Sequence, residues 1–228
     1  MLAAACGGSA DTDSDGVIIT PLEGAPTTAG PSNGGGAQPT SEPVSSTLSG
    51  FAFPIPGGCL PFSDQLMPNA PREYRNGTHE GIDLYNVDNC TVIGVGTAIV
   101  AAKDGVVVRA DFDYVELTAA LYAELAADPT SPQSVDAFRG RQVWIDHGSG
   151  IVTRYAHLNA VAEGLTPGVT VTAGDLVAFV GESGTPESIS NPGSQYHLHF
   201  EVRVDDSYLG AGLPPGEVRG LYLGLFGQ

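Results

Sequence analysis

The chain changes texture near Phe51. Residues 7 to about 48 are rich in Gly, Ser, Thr, Pro, Asp and Ala and carry few large apolar side chains. A stretch of that kind cannot bury enough surface to offset the entropy of ordering it, so 7–50 reads as a disordered tether and 51–228 as the folded domain. From residue 91 onward, short apolar runs alternate with Gly-containing turns. Residues 97–101 and 106–110 flank Lys103-Asp104-Gly105, a hairpin signal. Residues 142–146 and 151–155 flank His147-Gly148-Ser149-Gly150, a second one. With 169–171, 176–180 and 197–204 they make a mostly β domain.

One segment breaks the pattern. In residues 114–127 apolar side chains recur every fourth place, at Leu117, Leu121 and Leu125, which predicts a short inserted amphipathic helix. Asp128-Pro129-Thr130-Ser131-Pro132 ends it. A helix inserted between strands either walls a cleft or caps a sheet edge, and both readings stay open here.

Charge narrows the partners. The formal charge is -17 and no Lys or Arg precedes Arg72. Phosphate contacts need clustered cations, so nucleic acid is not an expected partner. No apolar run is long enough to span a bilayer. Leu2-Ala3-Ala4-Ala5-Cys6-Gly7-Gly8 resembles the end of a bacterial lipoprotein signal, although its larger apolar residue lies one place too far upstream. Residues 1–6 are therefore expected to be a remnant of such a signal. Cys6 would be the lipid-bearing residue of an extracytoplasmic, cell-envelope or secreted protein. Cys59 and Cys90 flank the first histidine motif, and in an exported protein they would form a disulfide.

Four of the five histidines fall in compact motifs: His79-Glu80-Gly81-Ile82-Asp83, Tyr155-Ala156-His157-Leu158 and His197-Leu198-His199. Imidazole and carboxylate are zinc-type ligands, and a hydrolytic site needs three of them plus a free position. The spacing of four between His79 and Asp83 suits a helical metallopeptidase motif, but Asn76-Gly77 and Gly81 argue against a helix. On an extended chain His79, Gly81 and Asp83 share one face, with Gly81 expected to leave room for the metal and Glu80 turned away. His197 and His199 share a face on a strand, where buried ring nitrogens need partners. His147, before a Gly-Ser-Gly turn, reads as structural.

These segments resemble the lysostaphin-type zinc metallopeptidases, which cleave peptide bridges of bacterial peptidoglycan. The resemblance is carried by 78–84, 101–107, 143–150, 153–158 and 197–202, in the family's order. It implies an antiparallel β-sheet groove fold (the duplicated hybrid motif) and one Zn2+ ion held by His79, Asp83 and His199, with water in the fourth position. It also implies that His157 and His197 act as general base and oxyanion stabilisers, without saying which does which. The implied partner is a peptidoglycan peptide and the implied state a monomer. A non-catalytic member of the same fold, binding or activating another cell-wall hydrolase, is the alternative. Two stretches depart from the family pattern, the insertion at 113–138 and the long connection 181–195, and both bear on substrate preference.

Overall fold

The computed structural model describes residues 48–228, so the signal-like stub at 1–6 and the tether up to residue 47 lie outside the described residues. The strands are β1 (Pro71–Arg72), β2 (Gly77–Thr78), β3 (Ile82–Tyr85), β4 (Ala98–Val100), β5 (Gly105–Ala110), β6 (Val143–Asp146), β7 (Ile151–Ala156), β8 (Leu158–Val161), β9 (Thr170–Val171), β10 (Leu176–Val180), β11 (His197–Val204) and β12 (Ser207–Tyr208). The helices are short: α1 (Ala119–Leu125), α2 (Pro132–Phe138), α3 (Pro186–Ser190) and α4 (Pro215–Phe226). The mostly β expectation holds, and all the strand pairings are antiparallel.

Strand β11 organises the large sheet. One edge pairs with β7, while the other pairs first with β3 and then with β12. Beyond β7 the sheet continues through β6 and β5 to β9. Alternation along β11 sends Leu198, Phe200 and Val202 into a core shared with Tyr155, Val143, and Tyr222 and Leu225 of α4. His197, His199, Glu201 and Arg203 project from the opposite face. That face also carries a cross-strand row, because Glu201 sits opposite Arg154, Arg154 opposite Trp144, and Trp144 opposite Arg109. The guanidinium groups of Arg154 and Arg109 lie 3.9 and 4.9 Å from the Trp144 ring centroid. Aromatic and cation pairs of this kind stabilise neighbouring strands.

The hairpin around His147 forms as expected, between β6 and β7. The one expected around Asp104-Gly105 does not. Strand β4 pairs with β10 in a small sheet completed by β8, whereas β5 pairs with β6 and β9 in the large one. Gly105 lacks the left-handed backbone that a tight Asn-Gly or Asp-Gly hairpin uses. Its missing Cβ instead admits the Asp146 carbonyl and the His147 ring. Asp104 supplies separate contacts, its carbonyl accepting from His147 Nδ1 at 2.8 Å and its carboxylate accepting from Ala173 N at 2.7 Å.

The inserted helix occupies the middle of the expected stretch, capped by the Thr118 hydroxyl accepting from Leu121 N. Leu117 and Leu125 are buried beneath it while Leu121 faces outward. The residues expected to end it do so, but they also start α2, where Ser131 caps and Pro132 takes the first turn. Cys59 and Cys90 form a disulfide across 31 residues. In the chain-entropy treatment such a closure stabilises the fold by about 3–4 kcal/mol.

Gly81 is needed for a different reason from the one its spacing suggested. A Cβ there would collide with the Phe200 carbonyl and touch Glu201 on β11, so the glycine lets the segment before β3 lie against that strand rather than making space for a metal. Gly81→Ala is expected to lose about 1–3 kcal/mol by overpacking against backbone. Thermal unfolding should show a Tm lowered by roughly 3–10 °C, and an unchanged Tm would refute the close contact.

Candidate metal centre

His79, Asp83 and His199 converge, all buried, and form the group among the described residues able to hold a metal ion. Asp83 lies on β3 directly opposite His199 on β11. His79 precedes β3 in a non-helical segment whose backbone N–H donates to Ala70 O at 2.9 Å. The donor atoms nearly touch. His79 Nε2 lies 2.9 Å from Asp83 Oδ1, His199 Nδ1 lies 2.7 Å from the same oxygen, and the two nitrogens are 3.1 Å apart.

Hydrogen bonds on the far side of each ring set which nitrogen an ion would take. A carbonyl or carboxylate only accepts, so with an ion on the near nitrogen the far one would carry the neutral ring's single proton. His79 Nδ1 faces Met67 O at 3.0 Å, so Nε2, which here faces Asp83 Oδ1 at 2.9 Å, would be the ligand atom. His199 is turned the other way: Nε2 faces Glu201 Oε1 at 3.0 Å and Nδ1 faces Asp83 Oδ1 at 2.7 Å, so both nitrogens meet carboxylates and Nδ1 would be the ligand atom. Carboxylate-backed histidine is a usual support for a metal ligand. Two imidazoles and a carboxylate whose ligand atoms converge on one point suit zinc in both type and number. The donor set therefore fits the ion.

His157 and His197 stand beside this group. Their ring centroids are 4.6 Å apart, and His197 Nε2 is 3.9 Å from Asp83 Oδ1. His157 Nδ1 donates to Ser183 O at 2.8 Å and His197 Nδ1 to Gln195 O at 2.7 Å, so both rings keep a bare Nε2. Burial first, then neighbouring His197 and His199, holds His157 well below the usual histidine value. Burial also lowers His197. Both are thus neutral near pH 7 and able to accept a proton. His157 sits at the join of β7 and β8 with φ 58°, a left-handed backbone unusual for a non-glycine residue. Its N–H donates to Arg139 O at 2.8 Å, which anchors the turn to the end of α2.

The electrostatics oppose burial. Desolvation would raise Asp83, yet His79 and His199 hold it well below the carboxylate range. Burial likewise works to raise Glu201, which His199 and Arg139 hold low. His199 is raised against burial by its bonds to Asp83 and Glu201.

Several residues here carried no expected role. Arg72 Nη2 donates to Asp83 Oδ2 at 3.0 Å, and Tyr85 stacks on His197 at 4.3 Å between centroids. Glu201 backs His199, and Arg139 Nε donates to Glu201 at 2.6 Å. Glu201 was detectable, because the period of two from His197 and His199 puts it on their face. Arg139 and Arg72 had no such signal. Glu80 is not among the three ligand-type residues and accepts from Arg139 at 2.7 Å and Arg203 at 2.8 Å, guanidinium groups it shares with Glu201. His147 is structural as expected, bonded to Asp104 O and to Thr153 Oγ1, each at 2.8 Å.

The group opens into a groove of about 730 Å³. It is lined by Tyr122, Pro129, Val135 and Phe138 of the insertion, by Gln65, Leu66, Pro71, Arg72 and Arg75, and by Gly184, Pro186 and Gln195. Of the two readings left open for the inserted helix, it walls the cleft.

A search of curated protein sequences found no match. Among solved structures, a zinc-containing peptidase from Vibrio cholerae aligns at 23% identity and TM-score 0.45, covering 72% of this chain and 40% of that one. This chain thus spans less than half of that protein. A SpoIIQ–SpoIIIAH pore-forming complex aligns at 20% identity and TM-score 0.43, covering 71% and 87%. The catalytic domain of lysostaphin from Staphylococcus simulans aligns at 17% identity and TM-score 0.40, covering 71% and 91%. Residues 77–210, which hold all five of the residues gathered in the groove floor and more than half of the chain, match Peptidase family M23, and the chain belongs to that family.

Proposed function

We propose that the protein is an exported, zinc-dependent endopeptidase that hydrolyses peptide bonds in the stem or cross-bridge of bacterial peptidoglycan. The observation that carries this reading is the meeting of three ligand-type atoms, within 3.1 Å of one another, beside two further imidazoles with bare Nε2 atoms. A purely structural zinc site would be closed by four protein ligands. His79, Asp83 and His199 would hold the ion, which when bound would polarise a peptide carbonyl and make a water more acidic.

The chain's own residues supply the rest. His157 or His197 takes a proton from the attacking water at Nε2, which requires the neutral ring their burial favours. The imidazole so charged is then a donor, and it can stabilise the carbonyl oxygen as charge develops or pass its proton to the leaving amine. Ser183 O and Gln195 O hold the two rings in the tautomer this needs. Arg72 holds Asp83 from its outer oxygen, leaving Oδ1 facing the histidines.

An oxidising, extracytoplasmic location agrees with the Cys59–Cys90 disulfide. Among the described residues no helix is long and apolar enough to cross a membrane. Attachment, in this proposal, is through lipid on Cys6, with 7–50 giving the domain 51–228 reach as a monomer.

The test is direct. Purified protein should carry one zinc by elemental analysis and release new amino termini from defined peptidoglycans, read by mass spectrometry. Absence of zinc would overturn the metallopeptidase reading. Zinc without cleavage of any peptidoglycan would favour a member of the fold that binds or activates another hydrolase.

A further inference from the structure

The long connection 181–195, one of the two stretches that depart from the family pattern, leaves the sheet and returns to it beside the groove's imidazoles. Its ends are tied backbone to backbone, with His197 N donating to Gly181 O at 3.0 Å. Between them the chain makes the short helix α3, capped by the Thr185 hydroxyl accepting from Ser188 N. Glu182 closes this excursion. It is buried, and its carboxylate is spent on backbone: Oε1 accepts from Gly193 N, and Oε2 accepts from Gln195 N at 3.0 Å. A buried carboxylate is costly unless hydrogen-bonded, and charge-assisted bonds to N–H groups are about twice as strong as neutral ones. The two bonds reach across 11 and 13 residues, so they fasten the far end of the connection to its beginning.

That far end is where His197 finds its partner. Gln195 O accepts from His197 Nδ1 at 2.7 Å, and the N–H of the same residue is the one bonded to Glu182. We propose that Glu182 is a positioning residue for His197. By holding the Gln195 backbone it aims Gln195 O at Nδ1, which keeps Nε2 toward Asp83 and free to take a proton. This role rests on the peptidase reading above and adds a residue to it. Ser183, the next residue, holds His157 Nδ1 through its own carbonyl at 2.8 Å. The 181–183 stretch thus serves both imidazoles that flank the metal group. Gly184, Thr185, Pro186 and Glu187 of the same connection line the groove, whereas Glu182 is not among the lining residues. A carboxylate that only shaped that lining would act on substrate binding and hence on KM. One that aims His197 acts on proton transfer and hence on kcat.

The experiment uses the full chain, with zinc measured in every sample. Glu182→Gln keeps the shape but sets an amide NH2 against one of the two backbone N–H groups, so one bond is lost. On a soluble cross-linked peptidoglycan fragment that the wild-type protein cleaves, kcat is expected to fall about ten-fold or more, with KM changed by less than about two-fold and zinc retained. In a His197→Gln background the same substitution should cost nothing further, because the ring it aims is gone. Histidine nitrogen NMR spectra should show His197 as a single Nδ1–H tautomer in the wild type and as a mixture in Glu182→Gln, a readout that needs no substrate. If Glu182→Gln fails to fold by circular dichroism, Glu182→Asp keeps both acceptors on a shorter stem and should show the same split between kcat and KM at smaller size. A loss confined to KM, a loss that multiplies with that of His197→Gln, or an unchanged His197 tautomer would each overturn the inference while leaving the peptidase reading standing. A zinc-loaded wild type that cleaves no peptidoglycan would overturn the peptidase reading itself and this inference with it.

Discussion

His197→Ala is expected to lose peptidase activity by about 10²–10⁴-fold while keeping its zinc, whereas Asp83→Ala is expected to lose both. The distinction follows from position. Asp83 Oδ1 lies within 3 Å of both ligand-type nitrogens, so its removal leaves two imidazoles to hold an ion alone. His197 Nε2 stands 3.9 Å from that oxygen, outside the tight group, and its Nδ1 is bonded to Gln195 O. Its ring is nevertheless buried and stacked on Tyr85, so alanine leaves a cavity as well as removing a base. His197→Gln keeps most of the volume without the titrating nitrogen and separates the two effects. Zinc by elemental analysis and kcat/KM on cleaved peptidoglycan are the measurements. Zinc lost from both His197 variants, with the fold intact by circular dichroism, would make His197 a ligand and the assignment of three ligands wrong.

The residues of the candidate metal group were legible in the sequence from their motifs and extended spacing, while their roles as ligands were implied by the family resemblance. Side chains two apart on an extended chain share a face, so His197 and His199 were placed correctly by counting. The same count extended to Glu201, which sat within a matched motif without a role because nothing along the chain said which neighbours would meet it. Its partners Arg139, Arg154 and Arg203 come from two other segments and from its own strand, and only the register of β11 with β7 and the return of α2 bring them together. The Asp104-Gly105 hairpin failed for a related reason. Local turn chemistry marks a bend, but whether the two flanking runs pair depends on competition from β10 and β6, which lie 70 and 40 residues on. The inserted helix was legible from the spacing of Leu117, Leu121 and Leu125, although it starts only at Ala119 and Leu121 faces outward. Its companion α2 has no comparable stripe, being held by the Ser131 cap, by Ser134 bonded to Leu125 O, and by Asp136 paired with Arg109. These are interactions across the chain rather than along it.

Glu201→Gln is expected to destabilise the fold by about 3 kcal/mol or more and to weaken metal binding by about 10–100-fold. The side chain is fully buried, and its two oxygens are shared among His199 Nε2 at 3.0 Å, Arg139 Nε at 2.6 Å, Arg203 Nη1 at 3.3 Å and Arg154 Nη1 at 3.5 Å. Three guanidinium groups thus lean on one carboxylate, and among the described residues Glu80 is the other carboxylate paired with them, through Arg139 and Arg203. Glutamine keeps the shape and can still accept the His199 proton, so the tautomer need not change. It removes the charge, leaving guanidinium groups under-compensated in a region closed to water. Breaking a buried pair by neutralising one partner is costly for that reason, even where the intact pair contributes little. The loss should appear as a Tm lowered by roughly 6–12 °C. The weaker metal affinity, read by chelator competition, would follow from a less basic His199, since the carboxylate on Nε2 raises the electron density at Nδ1. Pairing Glu201→Gln with Arg139→Gln in a double-mutant cycle isolates the coupling. If the two losses simply add, Arg139 does not act on His199 through Glu201, and α2 supports the groove wall without reaching the metal ligand.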